Sequence, residues 1–69
     1  MKRKTVEMIE DAALEIISEG WEYIHGTALS DNFVSTSYAA REIADETGDD
    51  ASVIQDALEA RVYSMWQNQ

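Results

Sequence analysis

The stretch TVEMIEDAALEIISEGWEYI, Thr5 to Ile24, places Val6, Ile9, Ala13, Ile16, Ile17, Trp21 and Ile24 at steps of three and four. That spacing gathers the apolar side chains on one stripe of an α-helix, because a helix turns once every 3.6 residues. Thr5 reads as its N-cap, with Glu7 in the first turn where a negative charge suits the helix dipole, and Gly26 reads as its terminator. Gly20 either permits close packing within one long helix or ends a shorter one near Glu19.

Beyond this helix, residues 26 to 37 are rich in small hydroxyl side chains and lack sustained periodicity, which predicts a connector. Leu29, Phe33 and Val34 would anchor it to the core, with room for a short helical turn around Ser30 to Phe33. A second helix fits Thr36 to Thr47, with Tyr38, Ala39, Ile43 and Ala44 inward and Gly48 at the position after the last turn that favours a left-handed backbone. A third fits Asp50 to Trp66, capped by Asp49 or Asp50, with Ile54, Ala57, Leu58, Arg61, Val62 and Met65 along one side. The expected fold is all-α, a small three-helix bundle with a helix-turn-helix-like second and third helix, and residues 1-69 form a single acidic helical domain.

A 69-residue chain buries a smaller share of its surface than a larger domain does. Without cysteine there is no disulfide, and without a Cys/His cluster no structural zinc, so helix packing or oligomerisation has to supply the stability. A homodimer or a bound partner would serve. Met1-Lys2-Arg3-Lys4 could open a signal peptide, but Glu7, Glu10 and Asp11 interrupt the apolar stretch that secretion needs, and no apolar run approaches a membrane span. The expectation is a cytoplasmic protein.

The charge pattern is the most unusual property. The formal charge is -9, from 14 acidic and 5 basic residues, and residues 5 to 60 hold every acid but only one base, Arg41. Such a field repels nucleic acid and anionic membranes and steers association toward basic surfaces. On the first helix Glu7, Asp11, Glu15 and Glu22, with Glu19 adjoining, recur at nearly every turn, about 6 Å apart along the axis. Like charges at that spacing cost roughly 0.2 to 0.5 kcal/mol per pair in an isolated helix, and no lysine stands at the intervening turns. Glu42, Asp45, Glu46 and Asp49 repeat the arrangement on the second helix, with Asp50 following. These nine carboxylates other than Glu19 (Glu7, Asp11, Glu15, Glu22, Glu42, Asp45, Glu46, Asp49 and Asp50) are the candidate partner-binding residues. Their alternative is a merely solvated acidic surface, and adaptation to high salt has no special support.

Catalytic chemistry has little material. His25 is the only histidine, stands beside Gly26 and reads as a cap, and no cysteine is present to act as a nucleophile. Asp45 to Asp50 lacks the alternating oxygen ligands and distal glutamate of a calcium loop. The expectation is no enzyme activity, no cofactor and no metal. Tyr63, Met65 and Trp66 either complete the core or form an interface.

From Ala40 to Ile54 the chain carries an alanine (Ala44), a glycine four positions on (Gly48) and a branched apolar residue six further (Ile54). On those residues the segment resembles a DNA-binding helix-turn-helix, in which the small residue lets the helices approach, the glycine makes the turn and the branched residue locks the second helix. The resemblance implies that Ser52, Gln55, Asp56 and Glu59 would face bases. Here Asp49, Asp50, Asp56 and Glu59 would meet a polyanion, with Arg41, Arg61 and an arm of Lys2, Arg3 and Lys4 as the only bases to contact phosphate.

The small size, the acidity and the ridges Glu7 to Glu22 and Glu42 to Asp50 resemble the anti-defence proteins of bacteriophages and mobile elements, including anti-CRISPR and anti-restriction inhibitors of nucleic-acid-mimic type. That resemblance implies an inhibitor in the bacterial cytoplasm that occupies the basic nucleic-acid channel of a target complex, without direct nucleic acid or membrane binding. The alternative is a helix-turn-helix transcriptional regulator or antitoxin-like module acting as a dimer. An assembly or scaffold component is a third class.

Overall fold

In the computed structural model, three helices run in order: α1 from Arg3–Gly26, α2 from Leu29–Thr47 and α3 from Ala51–Gln67. The structure describes the backbone of residues 1–26 and 29–68 and the side chains of residues 1–18 and 36–68. Each helix packs against both others, the arrangement expected of an all-α three-helix bundle. The radius of gyration is 11.2 Å, against about 11 Å expected of a close-packed domain of this length.

The core is built from rows with steps of three and four. α1 contributes Ile9, Ala13 and Ile17, α2 contributes Ala40 and Ile43, and α3 contributes Ile54, Leu58 and Val62. Ile54 and Leu58 are wholly buried, each stabilising the fold by roughly 1.5 to 3 kcal/mol through removal of apolar surface from water. Met65 and Trp66 pack partly buried against the same cluster.

Threonine extends these rows where an aliphatic residue would be expected. Thr5, Thr36 and Thr47 are buried, and among the described residues no buried side-chain polar atom lacks a hydrogen-bond partner. Thr47 Oγ1 donates back to the carbonyl of Ile43 at 2.9 Å, and Thr36 Oγ1 donates to Glu59 at 3.3 Å. These threonines explain where the sequence reading departs from the fold. Thr5 is not an N-cap but a buried residue inside α1, which begins two residues earlier. It takes the inner row with Ile9, Ala13 and Ile17, and Val6, one residue on and about 100° around the helix, is exposed.

The second helix is longer than expected. It begins at Leu29 rather than Thr36, so the segment read as a connector, including the turn around Ser30 to Phe33, is largely the first half of α2. Its inner row runs Thr36, Ala40, Ile43, Thr47, and hydroxyl side chains in that row hide the helical period from an apolar count. Tyr38, expected inward, is 62% exposed because it lies about 200° around the helix from both Thr36 and Ala40. Arg61 is likewise outside the core row of α3 and is exposed.

α1 continues through Gly20 without a break and ends at Gly26. The side chains of Glu19, Trp21, Glu22, Ile24, His25, Leu29, Phe33 and Val34 lie outside those described. Gly48 follows α2 with φ +81°, the left-handed conformation that glycine adopts without strain, and its N–H donates to the carbonyl of Ala44 at 2.8 Å. Asp50 is the N-cap of α3, its carboxylate accepting from the backbone N–H groups of Ser52 and Val53 at 2.8 and 3.2 Å. No helix among the described residues is long and apolar enough to cross a membrane.

Candidate functional site

The exposed carboxylates follow from the inner rows. Since Thr5, Ile9, Ala13 and Ile17 face the core, Glu7, Asp11 and Glu15 point to the opposite side of α1, and all three are exposed. On α2 the inner row turns Glu42, Asp45 and Glu46 outward, again all exposed, with Tyr38 one turn before Glu42 on the same side. Glu22 falls outside the described side chains.

Few of these charges are neutralised. Arg3 approaches Glu7 at 3.7 Å, but both side chains are so exposed that solvent screens the pair. Among the described residues Asp11, Glu15, Glu42, Asp45 and Glu46 have no ion pair, although Arg41 stands four residues before Asp45.

Asp49 and Asp50 are occupied inside the fold. Asp50 caps α3, and Asp49, half-buried in the turn before it, reaches across to the start of α1. There its Oδ2 accepts from the Thr5 hydroxyl at 2.5 Å and from the Lys2 backbone N–H at 3.1 Å. The Lys2 carbonyl accepts the first helical bond of α1, from Val6, so Lys2 is the N-cap residue, and its side chain cannot accept from the free N–H groups. Asp49 instead accepts from the N–H of Lys2 itself and from the Thr5 side chain, and so brings a negative charge to the N-terminal end of α1. Lys2 answers with its Nζ, which donates to the carbonyl of Thr47 at the C-terminal end of α2. Each charge thus meets the helix end of opposite polarity. The Thr5 hydroxyl, followed by the Lys2 N–H, holds the Asp49 carboxyl below its ordinary value of 3.8, against an opposing effect of burial.

Two further acids make contacts between helices that local spacing does not reveal. Arg61 binds Glu10 with two parallel bonds, Nε to Oε2 at 2.7 Å and Nη2 to Oε1 at 2.8 Å, joining α3 to α1. That bidentate contact lowers the Glu10 carboxyl from 4.5 and raises the Arg61 guanidinium. Glu59 accepts from Gln55 Nε2 at 3.0 Å as well as from Thr36. The partners are 51 and 23 residues apart for Glu10–Arg61 and Thr36–Glu59, so no helical period could have signalled them.

Among the described residues no three His, Cys, Asp or Glu side chains are grouped to hold a metal ion. The geometry defines a small all-α three-helix bundle with acidic outer faces on α1 and α2. Comparison with known protein families, with curated proteins and with solved structures finds no significant match.

Proposed function

We propose that this chain is a protein-binding inhibitor whose acidic helix faces occupy a basic nucleic-acid-binding surface of a target such as a CRISPR or restriction complex in the bacterial cytoplasm. The observation that carries the reading is the division of its charges. Lys2 and Arg61 are engaged within the fold, whereas Asp11, Glu15, Glu42, Asp45 and Glu46 are exposed without an ion pair among the described residues. Rows of fixed carboxylates can form charge-assisted hydrogen bonds with the lysine and arginine side chains that otherwise hold phosphate. Asp49 and Asp50, already bonded within the fold, contribute to the field rather than to direct contacts.

The test is competition. A purified CRISPR or restriction nuclease with labelled DNA bound should release it as the chain is added, and Glu42→Lys/Asp45→Lys/Glu46→Lys should lose that effect. Unchanged displacement by the triple variant would remove α2 from the binding surface, and no displacement from any such complex would sink the reading.

The left-handed Gly48 and the buried Ile54 support a second reading, a helix-turn-helix regulator or antitoxin-like module acting as a dimer. Retardation of random duplex by the chain alone, in a gel shift at low salt, would favour it over mimicry.

A further inference from the structure

Tyr38 is the most exposed large apolar side chain among the described residues, and it stands on the acidic side of α2. A ring kept in water forgoes the burial that a core this small needs from its aromatics. Tyr63, also exposed, has its ring 5.2 Å from that of Trp66, whereas Tyr38 has no ring contact among the described residues. Around the helix axis Tyr38, Glu42 and Asp45 fall within about 60°, and Glu42 stands ~6 Å further along. Side chains of a helix lean toward its start, so the Glu42 carboxylate leans over the turn that carries the ring. Arg41 lies at one edge of that row and, among the described residues, makes neither an ion pair with Asp45 nor a contact with the ring. The ring is thereby left open beside unpaired carboxylates.

We infer that Tyr38 and Glu42 together take a guanidinium group, an arginine side chain of the basic partner, with its plane stacked on the ring and its N–H edge donating to the carboxylate. This rests on the inhibitory reading and narrows its partner from a basic surface to an arginine-bearing one. Charge selects a cation: around the ring Glu42, Asp45 and Glu46 outnumber Arg41, the one base. The ring selects which cation. A guanidinium is planar and weakly hydrated, and it offers both a face to stack and a fork of donors for a carboxylate. The ammonium of lysine is a compact, strongly hydrated point charge that carboxylates alone can satisfy. Arginine makes the same two contacts on a nucleic acid, to phosphate and to the face of a base, so Tyr38 supplies the part of a base that carboxylates cannot. On α1 the exposed side chain between Asp11 and Glu15 is Leu14, which offers apolar contact but no π-face.

Hexa-arginine and hexa-lysine peptides carry the same charge and separate the two contacts. In isothermal titration of the full chain at about 0.05 M NaCl, both peptides should bind. Tyr38→Leu should weaken hexa-arginine about two- to fivefold, the weight of one cation–π contact at an exposed site, and leave hexa-lysine unchanged. Tyr38→Phe should keep the parent's preference, since the ring rather than the hydroxyl makes the contact. Because Tyr38 and Glu42 hold one guanidinium, the losses from Tyr38→Leu and Glu42→Gln should not add for hexa-arginine. Tyr38 is exposed, so each variant should retain the parent's helical circular dichroism spectrum. Equal weakening of both peptides by Tyr38→Leu, no weakening of either, or strictly additive losses would overturn the inference while leaving the acidic-face reading in place. Failure of both peptides to bind the parent would remove that reading and the inference with it.

Discussion

Asp49 changes role between the linear chain and the folded one. In sequence it extends a row of acids, but in the fold its carboxylate accepts from the Lys2 N–H and the Thr5 hydroxyl at the start of α1. Its depressed pKa fixes the sign of the pH dependence: between the folded value and 3.8 the unfolded chain binds more protons, so stability rises with pH there. The contribution is complete above the unfolded value and disappears as pH falls through the folded one. Asp49→Ala should therefore lower the thermal midpoint at pH 7, and its deficit relative to the parent should shrink as the pH is taken well below 3.8. A deficit independent of pH would show that the charge is not what matters. Gly48 offers a second test beside it. A Cβ there would meet nothing nearer than Lys2 Nζ at 3.5 Å, so space is available and only the backbone objects. At φ +81°, Gly48→Ala should cost about 1 kcal/mol, read as a lower urea midpoint with an unchanged slope.

At the scale of the helix, α1 opens with the wrong charges. Arg3 and Lys4 occupy its first turn, where the dipole favours anions, and no acid stands there to offset them. The compensation comes from the α2–α3 turn through Asp49, so the stability of α1 depends on the correct packing of the other two helices. On α2 the acids are a cost to the helix itself. Glu42 and Glu46 stand one turn apart, both exposed and without an ion pair among the described residues. Glu46→Lys replaces that repulsion with a Glu-to-Lys pair four residues apart and should stabilise the fold by a few tenths of a kcal/mol. If the acidic face serves a basic partner, the same substitution should weaken binding to the target. A variant that gains neither stability nor loses binding would show the ridge to be energetically idle.

For the whole molecule the net charge of -9 is spread unevenly, because the bases most deeply engaged are bonded to other elements: Lys2 to the end of α2 and Arg61 to α1. Added salt should raise the thermal midpoint, as the general self-repulsion of the acids outweighs the exposed Arg3–Glu7 pair and the single bidentate Glu10–Arg61 bridge. Scanning calorimetry between about 0.02 and 0.5 M NaCl, at a concentration low enough to exclude self-association, reads the sign directly. A falling midpoint would mean that the ion pairs dominate.

The sequence by itself determined the three helices, the left-handed turn at Gly48, a cap for α3 at Asp49 or Asp50 and the outward direction of Glu7, Asp11, Glu15, Glu42, Asp45 and Glu46; the structure chose Asp50 as the cap. Each follows from helical periodicity or from the bonding of a side chain to backbone within a few residues, both of which are local. Only the tertiary structure decided that the segment before Thr36 is helix, that Val6 and Tyr38 face solvent, and that Asp49, Glu10 and Glu59 are used within the fold. In those cases the outcome depended on partners far along the chain. A threonine can hold a core position when a hydrogen bond satisfies its hydroxyl, and a carboxylate leaves the surface row when a distant donor or guanidinium reaches it.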